Sequence, residues 1–505
     1  MDRHLVEEAR RVARMTGSRL RLRIPSILGT GELFSLRLSI TGPDCLPDDN
    51  FPHALLFEGS VGVEGLPPRF CFEPGKSTAE IQGLRAVGPD VALIRCRVVG
   101  TGKIDGDPYV LSNPAWVFDS PACRLFWGDI HVHTRYSNCS AWRCLDPEWC
   151  YLYARDITLL DFAAAADHLR GIAAEPHRWP RLQRLARVFN EPGRFATFLA
   201  FESSHAHGYG GDNNVYFLDD DAPHFWLDRE DMTAISPKIH LRELWRQLDA
   251  SGTPYLTIPH HTGRSGKFRT WDDDCYEQEK EPLFEIYSSW GSSETRWSRI
   301  PISGGNNDAP SYFVDALKAG ARFGAIASSD DHATLPGEVH QHRIAPFRLP
   351  SLVSAPHQGL AAIRAPELSR ESLFAAMRRR QTYATTLAMS LVEMRIGDAL
   401  MGEEIPLDEP LRRSREVRVR FTLHDAFSAR VTLVRNGEEY ATQTVAGREL
   451  SEGINEITFV DSEPFARIAL KNARFHPEPF VVYYVRIEDN HGFHQWTSPI
   501  WIDGK

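Results

Sequence analysis

Apolar and polar residues alternate with period two over the first part of the chain. The segments RLRLRI, FSLRLSI and VALIRCRVV lie between residues 19 and 118, and their alternation predicts β-strands. TGPD and EPGK carry the proline and glycine of turns between such strands. The preceding segment, MDRHLVEEARRVARM, has the spacing of a short amphipathic helix. Residues 1–120 are therefore expected to form an N-terminal helix and a β-rich, sandwich-like domain.

From residue 121 to residue 387 the pattern changes, and short apolar runs alternate with segments of helical spacing. Asp146-Pro147-Glu148 has the residues of a helix start, and Gly252 ends the helical segment HLRELWRQLDASG. Strand followed by helix, in at least six successive units, is typical of a parallel sheet. This part of the chain is expected to close into an α/β barrel.

Period-two alternation returns between residues 388 and 505, in VRVRFTLHD, ARVTLVRNGEEY, INEITFV and FVVYYVRIED. RNGEE contains the asparagine and glycine of a tight hairpin turn. These features predict a second β-sandwich at the C-terminal end.

The formal net charge of −10 over 505 residues argues against a broad nucleic-acid surface. No apolar run approaches a membrane span, and the N-terminal residues lack the apolar centre of a signal peptide. The eight cysteines form no CxxC pair, so we expect reduced thiols and a cytoplasmic location. The expected partner is a small molecule, not a nucleic acid or a membrane, and a homo-oligomer is compatible with the composition.

Two histidines, His131 and His133, lie two residues apart in the β-prone segment LFWGDIHVHT. On a strand, such residues point to the same side, where two neutral imidazoles can share a divalent cation. A pair of ordinary half-buried histidines is the alternative interpretation. The first interpretation is favoured because later apolar runs also end in histidine or an acid.

Potential metal ligands end the strands that follow. In α/β barrels the carboxyl ends of the strands surround the active site, so these residues are expected to converge. They are Asp167-His168, Glu202, His260-His261, Glu285 and Asp330-Asp331-His332.

The order HxH, DH, a strand-terminal Glu, a His before a glycine-containing turn, and DxH resembles the polymerase and histidinol phosphatase (PHP) superfamily. That resemblance implies a distorted seven-stranded (β/α)7 barrel with two or three bound metals. FWGDIHVHT, GGDNNVYF, IPHHTG, EIYSSWGSSE, SSDDH, RRRQTYATT and YYVRIEDNHGFHQWTSPIWI are similar to the branch with flanking β-domains that includes carbaryl-hydrolase-like enzymes. The resemblance covers roughly residues 120–505. The expected fold class is thus α/β, a distorted barrel between N- and C-terminal β-sandwich-like domains.

The resemblance also implies a ligand set. One metal would be bound by His131, His133, Glu202 and Asp330, and Glu202 would bridge to a second metal bound by His261. His168 and His332 match ligands of a third position.

Some positions stay open from the sequence. Cys139 stands where histidinol-phosphatase-like members have a histidine, and we expect it not to be a ligand, with a thiolate ligand as the alternative. The remaining ligand of the second metal has three candidates, which are His205, His207 and Asp212.

Other residues are expected to support the chemistry. His260 is expected to lie behind the ligands, and Asp167 to hold a ligand histidine or a metal-bound water. The candidates for shuttling a proton are Asp330, Asp167 and the histidines that are not ligands. Glu285 and Glu294 are either supporting groups or solvated rim residues. An anionic part of a substrate would be bound by an arginine beside the motifs, with Arg135, Arg170 and Arg264 as candidates.

Mixed imidazole and carboxylate ligands suit Zn, Mn or Fe, and bound water is activated by such ions. The sequence therefore predicts a metal-dependent hydrolase with two or three divalent ions. The predicted substrate is a phosphoester, and the alternative is a carboxylic ester, an amide or a carbamate. A protein of a different class, a non-catalytic metal-binding scaffold, is the further alternative.

Overall fold

The computed structural model describes residues 19–42, 45–88, 90–99, 109–139, 144–206, 208–223, 239–265, 269–271, 275–306, 309–338 and 357–504. The amphipathic helix expected at the N-terminus lies outside these residues. Within them the chain is mixed α/β and rich in strands, as the sequence predicts. No helix in the described ranges is long and apolar enough to cross a membrane.

The N-terminal part is a set of small sheets, with strand orders β1-β3-β6-β5, β2-β10-β7 and β4-β8-β9. The alternation in FSLRLSI places Leu36, Leu38 and Ile40 in a common apolar core, and the N-terminal domain with bounds 1–120 stays a prediction. The strands are β1 Arg19–Arg23, β2 Ile27–Gly29, β3 Leu33–Thr41, β4 Ala54–Phe57, β5 Val63–Glu64, β6 Thr78–Ala86, β7 Asp90–Ala92, β8 Arg95–Val99, β9 Tyr109–Leu111 and β10 Ala115–Phe118.

The central part alternates strands and helices. Its strands are β11 Arg124–Val132, β12 Phe162–Ala165, β13 Ala196–Thr197, β14 Leu199–Ser204, β15 Asp212–Phe217, β16 Tyr255–Pro259, β17 Leu283–Ser288, β18 Gly291–Ser292, β19 Gly324–Ala327, β20 Leu360–Ala365 and β21 Thr382–Thr385. Its helices are α1 Pro147–Leu152, α2 Leu169–Ala173, α3 Arg178–Val188, α4 Leu241–Ser251, α5 Phe313–Lys318 and α6 Arg370–Arg378.

The predicted helix boundaries are confirmed. The Asp146 side chain accepts a hydrogen bond from the backbone N–H of Glu148 at the start of α1, and Pro147 is the first helical residue. Gly252 follows α4 with a φ of 70°, a left-handed conformation that glycine adopts without a steric penalty.

The strand ends meet in pairs around one region. β11, β12 and β13 are parallel neighbours, as are β17 and β19. Isolated parallel bridges then join His168 to Glu202, His260 to Glu285, and Val132 to Asp331. The carboxyl ends of these strands therefore lie together, as the position of the predicted ligands requires.

Several strands depart from a regular strand-and-helix repeat. β15 is antiparallel and lies between β14 and β16, and β20 pairs antiparallel with β11 and with β21. The short strand β18 pairs antiparallel with β17. The mixed α/β class is confirmed, whereas a complete (β/α)7 barrel stays a prediction.

The C-terminal part has two sheets, of which one has the order β23-β22-β25-β28. The other continues from the central part in the order β13-β12-β11-β20-β21-β30-β29-β26-β27. One sheet thus crosses the predicted boundary between residues 387 and 388. The strands are β22 Leu391–Ile396, β23 Ala399–Leu400, β24 Glu404–Pro406, β25 Arg415–Thr422, β26 Ser428–Arg435, β27 Glu438–Ala446, β28 Asn455–Asp461, β29 Phe480–Asp489, β30 His494–Thr497 and β31 Ile500–Asp503. Three short helices are α7 Glu409–Arg413, α8 Glu449–Glu452 and α9 Phe465–Ile468.

Candidate metal centre

His131 lies near the end of β11 and His133 follows the last residue of that strand, and both side chains are fully buried. Their ring centroids lie 5.1 Å apart, so the two imidazoles face one region. β12 can approach this strand closely because residue 128 is glycine, where a Cβ atom would lie 2.2 Å from the Phe162 ring. The local sequence therefore places the histidine pair at the junction of two parallel strands.

A first group combines these histidines with acids from distant strands. Nε2 of His133 lies 2.9 Å from Oδ1 of Asp330 and 3.5 Å from Oε2 of Glu202. Nε2 of His131 lies 3.6 Å from the same oxygen of Asp330. The ligand atoms of His131, His133 and Glu202 all lie within 4.8 Å of one another, close enough to hold one cation.

A second group lies on the other side of Glu202. Nε2 of His260 lies 2.8 Å from Oε1 of Glu202, and Nε2 of His261 lies 3.4 Å from Oδ2 of Asp212. Ligand atoms of these four residues again lie within 4.8 Å of one another. The two oxygens of Glu202 therefore face two different groups, as a bridging carboxylate would.

The position of the second group depends on the backbone at His261, whose φ is 32°. Along a regular strand, adjacent side chains point to opposite sides. The turn after Pro259 instead brings the rings of His260 and His261 to 3.7 Å between centroids. Asp330 also has a positive φ, of 49°, and such strained residues cluster at functional sites.

Two further groups share members with the first. His133, His168 and His332 form one, with ring centroids of His133 lying 4.6 Å from His168 and 4.0 Å from His332. His131, His260 and Glu285 form the other, in which His131 Nδ1 lies 3.1 Å from Oε2 of Glu285.

Several polar atoms in these groups are buried without a hydrogen-bond partner. They are His131 Nε2, His260 Nδ1 and Glu285 Oε1. Nδ1 of His168 and Oε2 of Glu202 instead face one another at 2.5 Å. Burying such atoms unpaired costs free energy, whereas each, once deprotonated, offers a lone pair that a divalent cation accepts. The donor set, imidazole nitrogens and carboxylate oxygens, therefore fits bound metal.

The electrostatics of the groups are mutually dependent. Burial alone would raise the pKa of Glu202, but His168 and His260 outweigh burial and lower that pKa well below its ordinary value. Burial and the neighbouring His168 lower the pKa of His133 well below its usual range. The carboxylate is thus anionic and this imidazole neutral, which are the forms that bind metal.

His131 and His332 have opposite pKa shifts. Burial opposes protonation of His131, yet Asp330 and Glu285 outweigh it and raise its pKa to about 10. Burial and the adjacent His133 lower the pKa of His332 to about 3. In the metal-free protein the proton charge near neutral pH therefore resides on His131 rather than on His332.

Asp167 lies behind the histidines. Its carboxylate accepts hydrogen bonds of 2.7 Å from both the backbone N–H and the hydroxyl of Thr134, and a third from Ser137. Burial raises the pKa of Asp167, and the bonds from Ser137 and Thr134 oppose that rise. Both carboxylate oxygens are therefore engaged away from the metal-binding groups.

The structure distinguishes between the other candidate ligands. Asp212 belongs to the second group, whereas the ring nitrogens of His205 lie 2.9 Å from Ser203 Oγ and 2.7 Å from the Ile239 carbonyl. The Cys139 thiol lies 3.8 Å from the Ser137 carbonyl and is not a member of the four groups. His207 lies outside the described residues.

Arg264 lies near the centre, stacked on an indole. Its guanidinium carbon is 4.0 Å from the ring centroid of Trp290, and Trp290 in turn lies 6.2 Å from the ring of His332. Arg135, another candidate, is 57% exposed and pairs with Asp146 at 3.0 Å. Arg170, on α2, is half-buried.

Glu294 does not belong to the four groups. Its carboxylate accepts hydrogen bonds from Tyr484 at 2.8 Å and from Arg486 at 2.9 Å, both on β29. It therefore connects the central part to the C-terminal sheet.

Three polar residues near the centre were not singled out from the sequence. Ser137 contacts His133 at 2.8 Å, the Asn214 side-chain nitrogen lies 2.9 Å from His131 Nδ1, and Ser328 donates to Glu285. Ser137 and Asn214 stand in HTRYSN and GGDNNVYF, so their proximity to a histidine motif was the available signal.

The fold and the centre define a mixed α/β protein with buried histidines and carboxylates arranged to bind metal. Residues 158–301 match a family described as a protein of unknown function, DUF3604. An uncharacterized protein of Chlamydia pneumoniae is 27% identical over 426 residues, covering 82% of this chain and 62% of that protein. Another, of Chlamydia muridarum, is 26% identical over 404 residues, covering 78% and 59%. This chain thus spans about six-tenths of the length of these curated relatives.

A solved structure from Bacteroides vulgatus, described as a two-domain protein containing a predicted PHP-like metal-dependent phosphoesterase, has a TM-score of 0.35 and 13% identity to this chain. The match covers 72% of this chain and 91% of that chain. A TM-score of that size supports no conclusion about function.

Proposed function

We propose that this chain is a metal-dependent hydrolase that cleaves a phosphoester. The observation that carries the proposal is the set of overlapping histidine and acid groups at the strand ends, whose ligand atoms lie within 4.8 Å in each group. Buried atoms without hydrogen-bond partners, such as His131 Nε2 and His260 Nδ1, support bound cations there.

The ligands follow from the groups. His131, His133 and Asp330 would bind one ion, His260, His261 and Asp212 a second, and Glu202 would bridge the two. His168 and His332 would contribute to a third position with His133. Divalent ions so bound supply a water of lowered pKa and a positive charge that polarises the bond to be cleaved.

The remaining residues orient and bind. Asp167, which accepts three hydrogen bonds from Thr134 and Ser137, would hold the histidine-bearing strand end in place. Arg264 would bind an anionic group of the substrate, because no carboxylate in the described parts of the chain pairs with its guanidinium, which lies over the Trp290 ring. A phosphoester supplies such a group at the bond that is cleaved.

A carboxylic ester, amide or carbamate is the second candidate substrate. The motifs FWGDIHVHT, EIYSSWGSSE and YYVRIEDNHGFHQWTSPIWI support it, because they resemble the carbaryl-hydrolase-like branch. The same metal-binding residues would serve both reactions, so an assay with substrates of both classes is needed to distinguish them.

The experiment is a panel of phosphomonoester, phosphodiester, aryl ester and aryl carbamate substrates, assayed with the protein reconstituted with Mn and with Zn. We expect hydrolysis of at least one phosphoester, abolished by chelation and restored by the metal. Hydrolysis of the esters or carbamates alone would select the second candidate. Binding of metal without hydrolysis of any substrate would favour the non-catalytic scaffold.

A further inference from the structure

We infer that Ser137 is a positioning residue that keeps the ring proton of His133 on Nδ1 and so leaves the lone pair of Nε2 to the metal centre. Its hydroxyl oxygen lies 2.8 Å from His133 Nδ1, while Nε2 of the same ring lies 2.9 Å from Asp330 Oδ1. The two ring nitrogens thus have partners of different kinds on opposite edges of the imidazole.

The hydrogen bonds of Ser137 determine where its hydroxyl proton and the ring proton of His133 lie. A hydroxyl has one proton and two lone pairs. The proton of Ser137 goes to Asp167, whose carboxylate also receives two hydrogen bonds from Thr134 and acts as an acceptor. The backbone N–H of His168 donates to Ser137 Oγ at 3.2 Å. The lone pair that remains on Ser137 must accept from His133, so Nδ1 of His133 carries the ring proton.

The consequence lies on the other edge of the ring. A neutral imidazole protonated at Nδ1 has its lone pair at Nε2. That lone pair points at the carboxylates of Asp330 and Glu202, at 2.9 Å and 3.5 Å. Acceptors that face one another repel unless a cation lies between them.

Without the Ser137 oxygen, His133 is free to carry its proton on Nε2 and donate it to Asp330. That arrangement would satisfy both residues without metal. Ser137 therefore favours the metal-binding form of His133 over a competing hydrogen bond. The inference rests on the proposed function in one respect, since it requires a metal at this centre.

The chain offers a matched control. Ser137 and Thr134 each donate a hydroxyl proton to Asp167, but only the Ser137 hydroxyl contacts the His133 ring. We would compare Ser137→Ala and Thr134→Val by titrating each metal-free protein with Zn in competition with a chromophoric chelator. Loss of a residue that orients a ligand typically costs about 10- to 100-fold in metal affinity. We expect that loss for Ser137→Ala and a change of less than about three-fold for Thr134→Val.

A second measurement, of the protonated ring nitrogen, does not depend on activity. Nitrogen NMR of the metal-free parent labelled with ¹⁵N-histidine, assigned with His133→Asn, reports the protonated nitrogen of His133. We expect Nδ1–H in the parent and a shift toward Nε2–H in Ser137→Ala. Nε2–H in the parent, or equal Zn affinity in the parent and Ser137→Ala, would overturn the inference. A parent that binds no Zn would instead refute the proposed function, while the NMR result would still decide the role of Ser137.

Discussion

The imidazole of His260 lies 2.8 Å from the carboxylate of Glu202, on the oxygen that faces away from His133. Both residues are almost fully buried, and they come from strands that are separated by β15. Glu202 is thereby placed between two groups of ligands, where its negative charge would offset the repulsion between two cations.

Glu202→Gln should remove at least one metal from the protein. The amide keeps the size of the side chain but loses the charge, and it bridges two cations poorly. We expect the rate to fall by several orders of magnitude while circular dichroism is unchanged. The same substitution at exposed Glu371, on α6, is the control and should leave metal and rate unchanged. Full metal content in Glu202→Gln would show that this acid does not bridge.

His260→Ala should lower metal content, whereas the sequence led us to expect mainly a loss of activity. The reason is its position in two of the four groups, with Nε2 against Glu202. His205→Ala is the matched control, because His205 is equally buried but its ring nitrogens lie against Ser203 and Ile239. Elemental analysis of both folded variants checks this. If His205→Ala loses metal and His260→Ala does not, then His205 is a ligand and His260 is not.

The adjacent residues His260 and His261 show which parts of the centre the sequence can predict and which it cannot. Strand-terminal His131, His133, Glu202 and Asp330 were recognised because each ends an apolar run, and the structure brings them together. His260 was also recognised as a strand-end residue, but it was expected to lie behind the ligands, because in a strand only one of two adjacent side chains faces a given side. The positive φ of His261 turns the chain and exposes both rings to the same centre.

The pairing of strands that are distant in sequence accounts for the other differences between the predicted and the observed centre. Asp212 was one of three candidates for a single ligand, and its membership of the second group depends on β15 pairing antiparallel with both β14 and β16. Glu285 reaches His131 because β16 and β17 are bridged at His260 and Glu285. Local spacing carries no information about such pairing, so neither the strand order nor these contacts were predictable from periodicity.

Metal binding should release protons at neutral pH. In the metal-free protein the pKa of His131 is raised from 6.5 to about 10, against the effect of burial, by Asp330 and Glu285. Near pH 7 His131 is therefore protonated, and a cation must displace that proton. Calorimetry of Zn binding in two buffers of different ionisation enthalpy measures the release. We expect apparent affinity to increase as pH rises from about 6.5 toward 10, and a pH-independent affinity would contradict this.

Arg264→Ala should weaken binding of anionic substrates without loss of metal. A charge-assisted hydrogen bond contributes about 1.5–3 kcal/mol, so KM should rise about 10- to 100-fold with kcat changed less. Arg135→Ala is the control, since Arg135 is exposed and already pairs with Asp146. An equal KM in Arg264→Ala and the parent would remove this arginine from the substrate site.

The most direct test of the central claim is the metal content of the purified protein, measured by elemental analysis together with rate. The account predicts about two transition-metal ions per chain, loss of activity with chelation, and recovery of both on reconstitution with Zn or Mn. A protein that holds no metal after gentle purification, and takes up none on reconstitution, would contradict it.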